Sequence, residues 1–132
     1  MITDIVALAR KWLEVLPEGE FDQLPGQIAP ELVLRLPYAP PGVPTEFRGR
    51  DVVQQAMSAS ATSRSRLELD NLMLLRTEDP ELLVATATGG AAMNSGKVYR
   101  NSYVIFVRIR DGRVIEHTEY LDPLRVMEAW GD

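Results

Sequence analysis

Cysteine is absent from this chain of 132 residues, and His117 is its only histidine. Without cysteine, thiolate catalysis, disulfide scaffolds and cysteine-ligated zinc or iron–sulfur sites are excluded. With one histidine, a histidine-rich metal site is excluded as well, and a Ser-His-Asp triad would have to use His117. We therefore expect neither a metal centre nor a cofactor.

Positive charge and long apolar runs are also scarce. The chain has 14 Lys and Arg against 19 Asp and Glu, a net charge of −5. Nucleic-acid-binding domains usually present a basic patch, so nucleic acid is not an expected partner. No run of about 18 apolar residues is present, and the mixed-charge N-terminus does not resemble a signal peptide. These features predict a cytoplasmic protein without a membrane span, forming one domain over residues 1–132.

Apolar spacing predicts two helices in the first half of the chain. Asp4 can cap a helix that ends near Leu16 and places its apolar residues on one face. The segment 37–44 (PYAPPGVP) has four prolines in eight positions, which favours a stiff, extended loop. A second helix of about ten residues is predicted from Asp51 onwards.

Strands are predicted where residues alternate or where β-branched and aromatic side chains dominate. Asp111-Gly112 is a two-residue hairpin signal, and the glycines 89, 90 and 96 predict a flexible hairpin region. A final helical turn is expected over 124–130. The predicted strands are 31–36, 66–75, 82–88, 98–110 and 113–121.

The order of these elements predicts an α+β fold, in which N-terminal helices cover one side of a curved antiparallel sheet. Such a layer arrangement often leaves a pocket between the helices and the sheet. The opposite face of the sheet must then pack against another surface, so we expect a homodimer that forms through sheet faces.

At the level of motifs, the chain resembles the nuclear transport factor 2-like (NTF2-like), SnoaL-like cone fold over nearly its whole length. The segments 37–44 and 49–53 (GRDVV), with 99–106 (YRNSYVIF) and 111–123 (DGRVIEHTEYLDP), look most like the PhzA/PhzB-like branch from phenazine biosynthesis. This fold hosts isomerases, cyclases, dehydratases, epoxide hydrolases and non-enzymatic proteins, so function depends on the site.

Two catalytic patterns of that superfamily are poorly matched. The carboxylate base and first-helix tyrosine of ketosteroid isomerases match Leu36 and Trp12; leucine carries no proton, and indole is only a donor. The strand arginine and aspartate of limonene-epoxide-hydrolase-like proteins match Thr86 and Thr88, and only their C-terminal carboxylate has a counterpart, Glu119. These substitutions argue against steroid isomerisation and epoxide hydrolysis.

The phenazine-type pattern points to Glu119. These proteins place a glutamate near the end of the last strand in an E-[YF]-x-[ND]-P context, which 119–123 (EYLDP) fits. Their partner histidine lies in the segment after the first strand. In this chain that segment (37–44) has no histidine, and Tyr38 is the only nearby titratable aromatic residue. Alternation puts Ile115, His117, Glu119 and Leu121 on one sheet face. If this face lines the pocket, as the resemblance implies, His117 and Glu119 form a pair that can move a proton on a ketone or enol. The alternative is that both lie on a solvated or dimer-facing side.

Further residues are predicted to contact a ligand. Tyr38, Asn101 and Tyr103 can hydrogen-bond a carbonyl or enolate oxygen, and Trp12 is expected in the core or the pocket wall. Together these residues favour a cofactor-free isomerase, cyclase or condensation-assisting enzyme acting on a small, apolar, ketone-bearing ligand. The alternative is a non-catalytic binding module, or a protein whose cavity is vestigial.

Overall fold

A computed structural model describes residues 1–131. The N-terminal half contains two of the three helices and a 3₁₀ turn at Phe21–Gln23, and the C-terminal half contains the long strands. The elements are α1 (Ile5–Val15), β1 (Ile28–Arg35), β2 (Glu46–Arg48), α2 (Arg50–Ala61), β3 (Glu68–Arg76), β4 (Leu82–Ala92), β5 (Val98–Arg110), β6 (Arg113–Tyr120) and α3 (Pro123–Trp130).

The six strands form one curved sheet in the order β2-β1-β6-β5-β4-β3. The predicted α+β class is confirmed, and every neighbouring pair is antiparallel except β1 and β6, which run parallel. Strand β2, which the sequence did not reveal, adds to the free edge of β1. The last strand thus pairs with the first, so that neither β1 nor β6 is left as an exposed edge.

The glycines of β4 lie within a strand, so the expected flexible hairpin at 89–90 is wrong. A Cβ atom on Gly89 would come within 2.9 Å of Cε2 of Tyr103 and 3.0 Å of Cδ2 of Leu69. Glycine is therefore required at this position because an aromatic ring lies directly over the backbone. Gly96, with φ +96°, does form the turn between β4 and β5.

Local capping and turn chemistry follow the sequence closely. The Asp4 side chain accepts a hydrogen bond from the Ala7 amide at 3.1 Å, which caps α1. Asp111 and Gly112 both have positive φ values, as a tight hairpin between β5 and β6 requires. Asp122 caps α3 through the Leu124 amide at 2.9 Å.

The sheet has a covered face, which packs against the helices, and an outer face. Along β5 the odd-numbered residues from Tyr99 to Ile109 are buried on the covered face, and the even-numbered residues are more exposed. A bulge in β6 shifts the register, because Arg108 pairs with Glu116 but Ile109 pairs with Val114. Beyond this bulge, the fully buried residue is Val114 and not Ile115.

The core lies between α1 and the covered face, where Leu8 and Trp12 are fully buried. Away from this filled end, the layers diverge and leave the space described below. No helix among residues 1–131 is both long and apolar enough to cross a membrane.

Candidate functional site

A cavity of about 670 Å³ opens between the covered face, the helices and the proline-rich loop. Its volume is in the range that holds a drug-sized molecule. Most of its wall is aliphatic or aromatic, contributed by every layer of the fold. Representative wall residues are Leu13, Leu34, Leu36, Phe47, Met57 and Leu69.

His117 and Glu119 line this cavity together, at the end of β6. His117 is fully buried, and its Nε2 atom lies 3.0 Å from Oε1 of Glu119. The Glu119 side chain is 19% exposed. Its second oxygen, Oε2, has no hydrogen-bond partner within residues 1–131, so it remains available to a molecule in the cavity.

Trp12 lies behind this pair, in the core and outside the cavity wall. The indole Nε1–H donates a hydrogen bond of 2.9 Å to Nδ1 of His117. The indole ring also packs against Phe21, with ring centroids 5.3 Å apart. Trp12 on α1 therefore acts on the site through His117 on β6, which lies 105 residues further along the chain.

A pair of tyrosines forms the second polar group of the wall. The Tyr99 and Tyr103 hydroxyl oxygens lie 2.6 Å apart, and Asn101 Nδ2 donates to the Tyr99 oxygen at 3.0 Å. The other Asn101 bonds are internal: Oδ1 accepts from the amides of Ser102 and Asp122, and Nδ2 also donates to the Asp122 carbonyl. Asn101 thus supports the tyrosine pair from within the protein and is not part of the cavity wall.

The two phenols leave one proton for a ligand. Only one of the two hydroxyl hydrogens can lie between the two oxygens. No group in the described part of the chain accepts a hydrogen bond from the second hydroxyl. Burial raises the pKa of Tyr99, and burial together with the neighbouring Tyr99 raises the pKa of Tyr103 strongly. Both phenols therefore stay protonated at neutral pH and act as donors. Sequence reasoning missed Tyr99, although it shares a strand face with Tyr103.

Tyr38 lies outside the cavity. Its side chain is 59% exposed, and its ring packs against Tyr120 of the outer face at a centroid distance of 5.3 Å. A turn closed by the Ala39 amide and the Leu36 carbonyl, 3.0 Å apart, directs this residue away from the covered face. The following loop residues, Ala39 and Pro40, do reach the cavity.

Arg64 is a charged wall residue that sequence reasoning missed. Its side chain is 4% exposed, and Nη1 lies 3.0 and 3.1 Å from the two carboxylate oxygens of Glu18. Nη2 donates to the Pro17 carbonyl at 2.8 Å, and the Leu67 amide donates to Glu18 at 3.2 Å. The cation is thus neutralised inside the wall, and Glu119 is the only carboxylate among the wall residues that the structure describes.

Leu36 and Thr86, which match catalytic positions of other superfamily members, have structural roles in this chain. Leu36 lines the cavity as part of its apolar wall. Thr86 pairs with Met73 and Val104 on the outer face, whereas the neighbouring Ala85 and Ala87 are buried on the covered face. Across residues 1–131, no three His, Asp or Glu side chains come together as a metal site would require.

Helix α3 forms part of the cavity mouth through Val126, Met127 and Trp130. Lys97 Nζ donates to the carbonyls of Glu128 and Gly131, at 3.1 and 2.8 Å, and so holds the helix end. The Trp130 ring packs against Tyr99 at 5.0 Å, which places an indole next to the tyrosine pair.

Comparisons with known proteins agree with this fold. The sequence model of the SnoaL-like domain matches residues 9–117. An uncharacterized PhzA/B-like protein, PA3332 of Pseudomonas aeruginosa, is 34% identical over 103 residues, covering 77% of this chain and 72% of that protein. The uncharacterized protein YesE of Bacillus subtilis is 28% identical over 100 residues, covering 75% and 68%.

Solved structures share the fold at low sequence identity. A phenazine biosynthesis-related protein of P. aeruginosa superposes with a TM-score of 0.77 and 16% identity, covering 94% of this chain and 82% of its own. IdmH of Streptomyces antibioticus, a candidate polyketide cyclase, has a TM-score of 0.74 and 16% identity, covering 98% and 100%. An NTF2-like protein of Burkholderia xenovorans gives 0.73 and 16%, covering 94% and 93%.

Proposed function

This chain belongs to the SnoaL-like domain family, and on that premise we propose that its cavity binds a small, mostly apolar, ketone-bearing molecule and catalyses proton transfer on it. One observation carries the proposal: a carboxylate with a free oxygen and a phenol with a free proton line the same apolar cavity. Such a pair is what cofactor-free isomerisation or cyclisation of a ketone requires.

The register of the sheet brings the two groups near each other. Glu119 pairs with Ile105, and Tyr103 lies two residues from Ile105 on the same face of β5. Tyr103 and Glu119 are therefore diagonal neighbours across the strands. A ligand carbonyl hydrogen-bonded to the tyrosine pair would thus present its α-carbon to Glu119.

The proposed step is enolisation. Oε2 of Glu119 takes a proton from the carbon next to the ketone; the electron pair of that C–H bond forms the C=C bond of the enolate, and the π pair of the C=O bond moves onto the carbonyl oxygen. The free phenol proton of the Tyr99–Tyr103 pair stabilises the resulting enolate through a hydrogen bond. In an unsaturated ketone, return of the proton from Glu119 to the γ-carbon moves the double bond. In a diketone, the α-carbon of the enolate attacks the second carbonyl and closes a ring, and the resulting alkoxide takes the proton from Glu119.

A non-catalytic binding protein is the second candidate. Leu36 occupies the position at which the resemblance to ketosteroid isomerases would place a base, and the wall carries one carboxylate. A mostly apolar cavity with one carboxylate among its described wall residues also suits storage or transport of an apolar molecule.

Exchange of α-protons for deuterium distinguishes the two candidates without knowledge of the natural substrate. A bicyclic ketone such as 2-tetralone is incubated with the protein in D₂O, and exchange above the buffer rate is followed by NMR. We expect Glu119→Gln to reduce this exchange by about 10²–10⁴-fold. Binding of the ketone without exchange would support the second candidate, and absence of binding by any ketone tested would contradict both.

Glu116→Gln is the matched control for this experiment. Glu116 lies on the same strand but outside the cavity wall, where it pairs with Arg35 and Arg108. The same loss of charge at this position should leave the exchange rate within about twofold of the wild type, because Glu116 lies outside the cavity and its two ion pairs are partly exposed to solvent.

The predicted homodimer is also proposed, through the outer face. The register aligns Met73, Thr86, Val104 and Tyr120 in one row across four strands, and Phe106 lies in the next row. Met73 and Val104 are exposed, and the ring of Tyr120 contacts the rings of both Tyr38 and Phe106. An exposed apolar surface of this kind is typical of a protein interface.

Sedimentation velocity tests the dimer. Val104→Glu places a charge in the centre of this surface and should produce a monomer. Val52→Glu makes the same substitution at an exposed position of α2 and should leave the dimer intact. A wild-type monomer at all concentrations would contradict the proposal.

A further inference from the structure

Both ring nitrogens of His117 are engaged in hydrogen bonds. Nδ1 lies 2.9 Å from the indole nitrogen of Trp12, and Nε2 lies 3.0 Å from Oε1 of Glu119. The ring is fully buried, so water does not compete for either nitrogen. The protonation of His117 is therefore decided by what these two neighbours can donate or accept.

The indole settles the position of the histidine proton. An indole N–H can only donate, so Nδ1 must accept and cannot carry a hydrogen. The proton of the neutral ring then lies on Nε2, which donates to Oε1 of Glu119. A doubly protonated ring would place two N–H groups face to face and would break the bond to Trp12.

We propose that Trp12 is a positioning residue, which fixes His117 as the neutral Nε2–H tautomer so that His117 holds Glu119 as a hydrogen-bond donor and does not itself exchange protons. This role rests on the function proposed above for Glu119. It differs from the expectation that His117 and Glu119 share a proton as an acid–base pair.

Without the indole, the histidine ring would have a second tautomer available. A neutral imidazole without this donor can carry its proton on either nitrogen, and the Nδ1–H tautomer would place an unprotonated Nε2 against Oε1 of Glu119. By holding the proton on Nε2, Trp12 keeps His117 a donor to Oε1 and leaves Oε2 free for the ligand.

The other titratable groups of the cavity do not disturb this arrangement. Tyr99 and Tyr103 have raised pKa values and stay neutral, and the Arg64 guanidinium is bound by Glu18. The phenols and the guanidinium therefore do not act as proton acceptors beside Glu119, the only carboxylate among the described wall residues.

Because the chain has one histidine, ¹⁵N NMR reads the tautomer directly. In protein labelled with ¹⁵N-histidine, we expect one set of ring signals at neutral pH, with the proton on Nε2 and an unprotonated Nδ1. A proton on Nδ1, or on both nitrogens, would overturn the proposal. The spectrum requires no turnover and no variant, so its result is independent of whether Glu119 catalyses a reaction.

Trp12→Phe tests the cause. Phenylalanine keeps an aromatic ring but removes the N–H donor, so Nδ1 can carry the proton and ring signals of the Nδ1–H tautomer should appear. Trp130→Phe makes the same exchange at the cavity mouth and should leave the His117 signals unchanged. If Trp12→Phe also leaves them unchanged, the indole does not set the tautomer.

Ketone exchange separates positioning from a merely structural effect. In Trp12→Phe, the exchange rate at saturating ketone should fall by roughly tenfold, the factor that corresponds to one hydrogen bond, while the Kd of the ketone stays within about twofold. A loss of ketone binding that parallels the loss of exchange would indicate structural damage and contradict the positioning role.

Discussion

The Arg64–Glu18 pair in the cavity wall makes a stability prediction with a defined size. Glu18→Gln keeps the shape of the side chain but removes its negative charge, which leaves a guanidinium that is 4% exposed without a counter-ion. Breaking a buried ion pair in this way costs about 3–5 kcal/mol. Since the Glu18 side chain is 12% exposed, we expect the lower end, about 3 kcal/mol. This loss is a large fraction of the roughly 5–15 kcal/mol that stabilises a domain.

The assay is urea unfolding followed by circular dichroism, with three variants beside the wild type. Glu14→Gln is the control, because Glu14 is exposed and its one ion pair within residues 1–131 is with Lys11 at 3.4 Å; its effect should be below about 1 kcal/mol. The double variant Glu18→Gln with Arg64→Met removes both charges and should be more stable than Glu18→Gln alone. A cost for Glu18→Gln below about 1 kcal/mol, or a double variant less stable than it, would refute the reasoning.

Further predictions concern the tyrosine pair and the outer ion pairs. Gly89→Ala should cost about 1–3 kcal/mol in urea unfolding, because its Cβ would meet the Tyr103 ring. The pKa values of Tyr99 and Tyr103 are raised above 10, so the free energy of unfolding should be maintained below about pH 10 and fall as the pH rises further. The fall should be smaller in Tyr103→Phe, and a series of unfolding curves at different pH values checks this. The hydrogen bond from Arg108 lowers the pKa of Asp79, so the contribution of Asp79 to stability should persist above about pH 4 and disappear in stronger acid. Asp79→Asn should weaken this acid dependence of the unfolding curves.

Local patterns in the sequence were enough to predict much of the fold. The alternation of β6 placed His117 and Glu119 on one sheet face, and the structure puts both in the cavity wall. Capping by Asp4 and the turn at Asp111-Gly112 were equally accessible, because each depends on neighbouring residues only. Strand β2 is three residues long and has too little sequence to show a period.

Long-range contacts account for what the sequence did not reveal. The bond between Trp12 and His117 joins residues 105 positions apart, and the Arg64–Glu18 pair joins residues 46 apart. No spacing rule connects such residues before the fold is known. Tyr38 was expected near the ligand from its position after β1, but a single turn in the proline-rich loop directs it to the outer face.

A crystal structure of the protein with a bound bicyclic ketone tests the central claim most directly. The account predicts the ligand inside the cavity, with its carbonyl oxygen within hydrogen-bonding distance of a Tyr99 or Tyr103 hydroxyl and its α-carbon next to Oε2 of Glu119. A ketone bound outside the cavity, or one whose carbonyl is directed at Arg64 with Glu119 left without contact, would contradict it.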